Sequence, residues 1–415
     1  MKTLKKGKTP INIGLTVMIW LLAFQSPLES VWGPFSYIDE VTALIGAVWG
    51  LYDVVIVRKG RPSKEQLWMG ILLVLFSVTG LLGNIIYRYQ PLKCVIIDLY
   101  TNLKFFFAIG TGYYLFASAD WEEIKKTAQW NAQAITLILF VLFLIDRIFN
   151  IWPGQVRYGI SSAKLFYFHS TYLAGAACFL LILLTASYDK KNIPFLFADV
   201  LLMVFTMRSK AMASGALFVA IFIFVILMKR RIKLWHMIAA GAACVVVAWP
   251  KIFEYYVAGA GIGTRSVLHS VALQIAQDYF PIGTGFGTYA SAEAGKVFSP
   301  VYELYNFEYL LRYDKDWLHY LSDTFWPIII GQTGVIGTII YVSCLACLLP
   351  KCWKLQRVSV YSYVAVLYSW AYMVISSTSE PIFHNMIAIP LAVVMGIAFC
   401  AMETNKFPDL LEKDR

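Results

Sequence analysis

Apolar residues in this chain come in long runs separated by short polar stretches. A helix needs about 20 mostly apolar residues to cross a bilayer. Twelve runs approach that length, near residues 11–28, 39–57, 66–86, 92–117, 129–150, 166–187, 193–208, 211–228, 233–250, 325–349, 358–377 and 385–402. The pattern predicts an all-α fold: a polytopic membrane helix bundle with about 12 transmembrane helices, in which residues 1–415 form a single integral membrane domain. The run at 193–208 is the shortest, and with 211–228 it fits a helix pair turning at Arg208. One long polar interval, 251–324, separates the ninth and tenth runs and reads as a long extracytoplasmic loop containing amphipathic helices. Within it Leu268, Val271, Ala272, Ile275 and Tyr279 recur at helical spacing. Arg265 and His269, four apart, share one face of that helix. No internal repeat is visible, which disfavours transporters built from repeated halves.

The polar stretches give an orientation. Basic clusters follow alternate runs: Arg58, Lys59, Arg61 and Lys64; Lys125 and Lys126; Lys190 and Lys191; Lys229, Arg230, Arg231 and Lys233; Lys351, Lys354 and Arg357. With twelve spans all of them share one side with the basic N-terminus and with Lys406, Lys413 and Arg415 of the tail. The positive-inside rule makes that side cytoplasmic and puts the 251–324 loop outside. A membrane protein with both termini cytoplasmic is expected. The first run follows four lysines, as in a signal peptide, but lacks a small-residue cleavage site and reads as a retained span.

Composition agrees. Hydrophobic residues make up 59% and charged residues 14%, where soluble domains are nearer half and a quarter. The mean hydropathy is +0.64. The net charge of +10 does not imply a nucleic-acid partner, because the basic residues sit in short loops between spans. Of the seven cysteines only Cys344 and Cys347 have CxxC spacing, inside an apolar run and with no second pair to complete a ligand set, so no metal site is indicated.

Candidate chemistry lies on the outer side. Arg157 follows the fifth run, Arg208 and Lys210 flank the turn between the seventh and eighth, and Arg265 opens the loop helix. Each alone fits a side chain snorkelling at the interface. Several together suit a phosphate-bearing lipid, because a guanidinium grips phosphate oxygens through two bonds and stays charged. Gly283, Gly285 and Gly287, followed by Tyr289, allow unusual backbone angles and close approach by a ligand. They lack the spacing of a nucleotide loop. The aromatic residues beyond them fit either interfacial anchoring or stacking on sugar rings. Asp323, at the lip of the tenth run, is either a general base or a solvated helix-start residue. His319 is the alternative base. Asp98, Lys104, Asp146, Arg147 and Asp199 lie within runs. A mid-membrane charge costs about 2.5–3.5 kcal/mol on insertion scales, so these are expected to face the bundle interior, either paired with neighbouring helices or on an ion pathway.

The order of these elements resembles a family. Arg208-Ser209-Lys210 between two spans is followed by Arg265 and its helix. Next come Gly283-Thr284-Gly285-Phe286-Gly287-Thr288-Tyr289 and Ser299-Pro300-Val301-Tyr302-Glu303-Leu304-Tyr305. Ser322-Asp323-Thr324-Phe325-Trp326-Pro327 closes the series. Over about 200–340 this is similar to the Wzy-type O-antigen and capsular polysaccharide polymerases of the O-antigen ligase/polymerase superfamily. The resemblance implies a metal-independent glycosyltransferase with no cofactor. It would transfer a growing glycan from undecaprenyl diphosphate to the next lipid-linked repeat unit, in contact with membrane lipid and with the pathway's chain-length regulator and flippase. It makes Arg208 and Arg265 the diphosphate contacts, Arg157 a further one, and leaves the base between Asp323 and His319. The ligase branch carries a His-Asn type motif where this chain reads Ser322-Asp323-Thr324, which favours a polymerase. A ligase-like glycan transferase and a lipid-linked glycan flippase are the competing readings.

Overall fold

The computed structural model describes residues 10–57, 59–60, 62–157, 159–233, 235–236, 263–312 and 316–404. The chain opens with α1 (Pro10–Ala23), which meets α2 (Gln25–Val31) at a 74° bend. Pro27 explains the bend: it has no N–H to return to the Ala23 carbonyl, and its ring crowds that carbonyl. Helix α3 (Ile38–Tyr52) is the middle of one apolar rod, Gly33–Val57. Helix α4 (Lys64–Tyr87) starts in a capping box made by Ser63 and Gln66. Helices α5 (Leu92–Leu115) and α6 (Trp121–Phe149) follow. A two-residue hairpin, β1 (Val156–Arg157) with β2 (Ile160–Ser161), then leads to α7 (Ser170–Ala186), α8 (Ile193–Phe205) and α9 (Ser209–Phe222). Past the undescribed stretch come α10 (Thr264–Asp278) and three short helices, α11 (Ala292–Lys296), α12 (Pro300–Leu304) and α13 (Phe307–Leu310). Helices α14 (Trp326–Ala346), α15 (Leu349–Val358), α16 (Val360–Ser377) and α17 (Ala388–Glu403) complete the described chain.

The all-α class and the membrane character hold, but the number of spans differs from the expected twelve. Eleven of the predicted runs coincide with helices; the run at 233–250 lies largely outside the described residues. Among the described residues, five helices are long and apolar enough to cross a membrane, or six with the bent α1–α2 pair taken as one. Length is the main reason. Helices α7, α8 and α17 have 17, 13 and 16 residues, or about 20–26 Å at 1.5 Å per residue, against a hydrocarbon core of about 30 Å. Helix α5 has 24 residues but carries Asp98, Asn102 and Lys104 in its interior.

Helix α5 lies in the middle, packed between α3 and α17. The α5–α17 approach is so close that a Cβ on Gly112 would meet the Val393 carbonyl oxygen at 1.9 Å, and one on Gly396 the Ile109 carbonyl oxygen at 2.0 Å. Small residues let helix backbones touch in this way where no water drives association. The charges on the spans turn inward to partners. Lys104 Nζ lies 2.6 Å from Asp39 Oδ2 and 3.5 Å from Glu40 Oε1, and Asp39 also accepts from Gln25 Nε2 at 2.6 Å. Asp199 accepts from Thr136 Oγ1 at 3.0 Å.

Residues 263–312 and 316–325 build a second core on top of the bundle. Leu268, Val271, Ala272 and Ile275 of α10 pack there with Tyr289, Tyr302, Phe307 and Leu321. The apolar face read from the spacing in α10 is the face that is buried.

Candidate functional site: a cationic mouth at one end of the bundle

Helix α6 ends, α7 and α9 begin, and α8 ends at the same end of the bundle, where α10 and the segment ahead of α14 also meet. Asp146, almost fully buried, shapes the chain as it leaves α6. It accepts from Trp152 N at 2.8 Å and from Arg147 Nη2 at 2.8 Å. Arg147 Nη1 then donates to the Ser161 carbonyl at 2.7 Å, and Ala163 N donates to the Phe205 carbonyl at 2.7 Å. These bonds staple the hairpin to the end of α8. The tight turn uses Gly159 in the left-handed region (φ +77°). Arg157 on β1 is thereby fixed beside the α8–α9 turn that carries Arg208.

Arg208 is half-buried. Its Nε donates to Ser170 Oγ at 2.8 Å, one Nη touches His169 Nε2, and that Nη also lies 3.5 Å from Gln155 Oε1. Arg157 Nη2 donates to the same Gln155 oxygen at 3.1 Å. Two guanidiniums thus converge on one neutral carbonyl. Lys210, in the first turn of α9, pairs with Glu380 from the α16–α17 connection. Arg265, in the first turn of α10, grips Asp323 Oδ2 through Nε at 3.0 Å and through Nη2. Lys210 lies within electrostatic reach of both Arg265 and Asp323, so the two ion pairs belong to one cluster.

His169 sits outside α7 as its N-cap residue, with Nδ1 2.9 Å from Thr171 Oγ1. Burial lowers its pKa to about 4, helped by the charges of Arg208, Arg157 and Lys164 and opposed by Asp323. The ring is therefore neutral at physiological pH. Burial and the nearby Arg157 likewise lower the pKa of Arg208, with Glu380 opposing. Arg157, Lys164, Arg208, Lys210 and Arg265 stand against Glu380 and Asp323, so the mouth carries an excess of positive charge. Its fixed donors can hold a dianion such as a diphosphate diester.

The structure thus brings together Arg157, Arg208, Lys210, Arg265 and Asp323. The structure leaves His319 exposed on the Trp317–Tyr320 turn with, among the described residues, no side-chain hydrogen bond to the cluster. It keeps apart the glycine stretch, which faces inward. Gly287 N donates to Asp98 Oδ2 at 2.9 Å, Phe286 N donates to Asn84 Oδ1 at 2.8 Å, and Asn84 Nδ2 donates to the Phe286 carbonyl at 2.9 Å. Tyr289 is fully buried, its hydroxyl donating to the Leu268 carbonyl at 2.8 Å. These residues dock the 263–325 unit onto α4, α5 and α14. The sequence reading missed His169 and Glu380. His169 lies near the start of one run and Glu380 just past another, on the side that also carries Arg157, and that was the signal available.

No protein-family model matches this chain, and no curated relative matches it either.

Proposed function

We propose that this protein is a surface-polysaccharide polymerase. It transfers a growing glycan from undecaprenyl diphosphate to the next lipid-linked repeat unit at the outer face of a bacterial plasma membrane. The observation that carries this reading is the convergence of Arg157, Arg208, Lys210 and Arg265 at one end of a membrane bundle, around a neutral imidazole. The leaving group of the reaction is a lipid diphosphate. Guanidiniums fixed before the reaction stabilise the charge that develops on it, at no cost in reorganisation. Arg208 and Arg157 hold the diphosphate, and Arg265, oriented by Asp323, faces it from the outer unit.

The opposite end of the bundle supports the orientation. There Lys351 lies 3.2 Å from Glu65 and 2.9 Å from Glu403, and Lys354 lies 2.8 Å from Glu65. Those lysines belong to the loops that the positive-inside rule makes cytoplasmic. Both termini inside is the topology that goes with this reading. The chain-length regulator and flippase of the same pathway are its expected partners.

Electrophoresis of glycans from cells lacking the gene tests the reading. Single repeat units on lipid, with long chains lost, are expected. Long chains accumulating on the carrier lipid would make the protein a ligase, and an unchanged pattern would end the glycosyltransferase reading.

A further inference from the structure

The cationic mouth holds one group that can take a proton without first breaking an ion pair. We propose that His169 is the general base that deprotonates the attacking acceptor hydroxyl, and that Arg208 releases it when the donor diphosphate binds. This rests on the polymerase reading.

The hydrogen-bond inventory decides the tautomer. A guanidinium has only donors, so the Nε2 that meets Arg208 presents its lone pair. The ring proton then sits on Nδ1 and goes to Thr171 Oγ1 at 2.9 Å, in preference to Nδ1 accepting from the more distant Thr171 N–H at 3.3 Å. An unprotonated nitrogen therefore points into the mouth, on a ring held at the start of α7 by Thr171 Oγ1. The carboxylates there are engaged: Asp323 Oδ2 receives two N–H groups of Arg265, and Glu380 pairs with Lys210.

Electrostatics couples the base to the donor. Arg208, Arg157 and Lys164 press the imidazole toward its neutral form, and Asp323 pulls the other way. A diphosphate bound across Arg208 and Arg157 draws the guanidinium off Nε2 and cancels those charges. The basicity of the ring then rises toward neutrality, where a general base works best. As the acceptor oxygen attacks the anomeric carbon, its proton passes to Nε2. The bond from that carbon to the diphosphate oxygen breaks, and its electron pair leaves with the lipid diphosphate. The imidazolium loses its proton to water after the product departs.

The test is polymerisation of lipid-linked repeat units by the purified full-length protein in detergent. His169→Gln, which keeps an acceptor for Arg208, should lower kcat by about 10²–10⁴-fold, with KM for the donor little changed. Added imidazole should restore part of the activity of His169→Ala. The base is active when neutral, so wild-type activity is full above its pKa and lost as pH falls through it. The acid limb of kcat/KM, which reports the free enzyme, should lie near pH 4, and that of kcat distinctly higher. His169→Gln with wild-type kcat would overturn the proposal, as would no imidazole rescue in a folded His169→Ala. The wild-type profile decides even if both variants misfold, because a kcat with no acid limb above pH 4 also overturns it. Failure of the polymerase reading looks different: the wild-type protein would leave the lipid-linked units unextended.

Discussion

The glycine stretch at 283–289 and the cationic mouth present the same chemical promise in sequence and have opposite surroundings in space. Both involve the 263–325 unit, and both offer groups suited to a phosphorylated sugar. The glycines are buried against α4, α5 and α14, with their backbone groups bonded to Asn84 and Asp98. The arginines stay partly exposed, and Arg157 and Arg208 share a neutral oxygen instead of each taking a carboxylate. Positive φ therefore marks a docking seam, and the excess of cations marks the candidate binding site. Permissive backbone alone does not distinguish the two; what the groups are bonded to does.

That contrast predicts losses of different kinds. Arg208→Ala should show the largest effect, a fall in polymer formation of about 10²–10³-fold. Its melting temperature should stay near wild type, since the side chain is half-exposed and outside the core. Wild-type turnover in this variant would remove the diphosphate clamp. Gly285→Ala should fail by the other route. Its φ is +100° and an added Cβ would meet Asn84 N at 2.5 Å, so a loss of stability of about 1–3 kcal/mol or more is expected. Activity per folded molecule should be retained, and a melt paired with a specific-activity assay checks both halves. Arg265→Lys should keep roughly a tenth of the activity, because lysine keeps the charge and loses the two-pronged grip on Asp323. Full activity would mean that charge alone suffices. Tyr289→Phe should be the mildest, costing about 0.5–1.5 kcal/mol for the bond to Leu268 and leaving kinetic constants unchanged. A changed KM there would return the glycine stretch to the binding site.

The buried charges on the spans follow the same logic. Asp98, Lys104 and Asp199 each meet a partner far along the chain: Gly287, Asp39 and Thr136. A low-dielectric interior leaves a charge too costly unless it is matched; the Asp98–Gly287 bond ties the bundle to the 263–325 unit and the Lys104–Asp39 pair ties α5 to α3, while Asp199 Oδ1 has no partner among the described residues.

The sequence by itself determined the helical membrane class, the helix positions, the apolar face of α10 and the cations at the ends of runs. Each of these follows from local periodicity or from which side of a span a residue falls on. The number of helices able to cross was not legible, because an apolar run does not say where its helix will bend or stop, as Pro27 and the turn at Thr206–Arg208 do here. Tertiary structure alone decided which candidates are buried and which converge. Arg208 meets His169 across 39 residues, and Arg265 meets Asp323 across 58. Such pairings depend on how helices pack, and no local pattern encodes them.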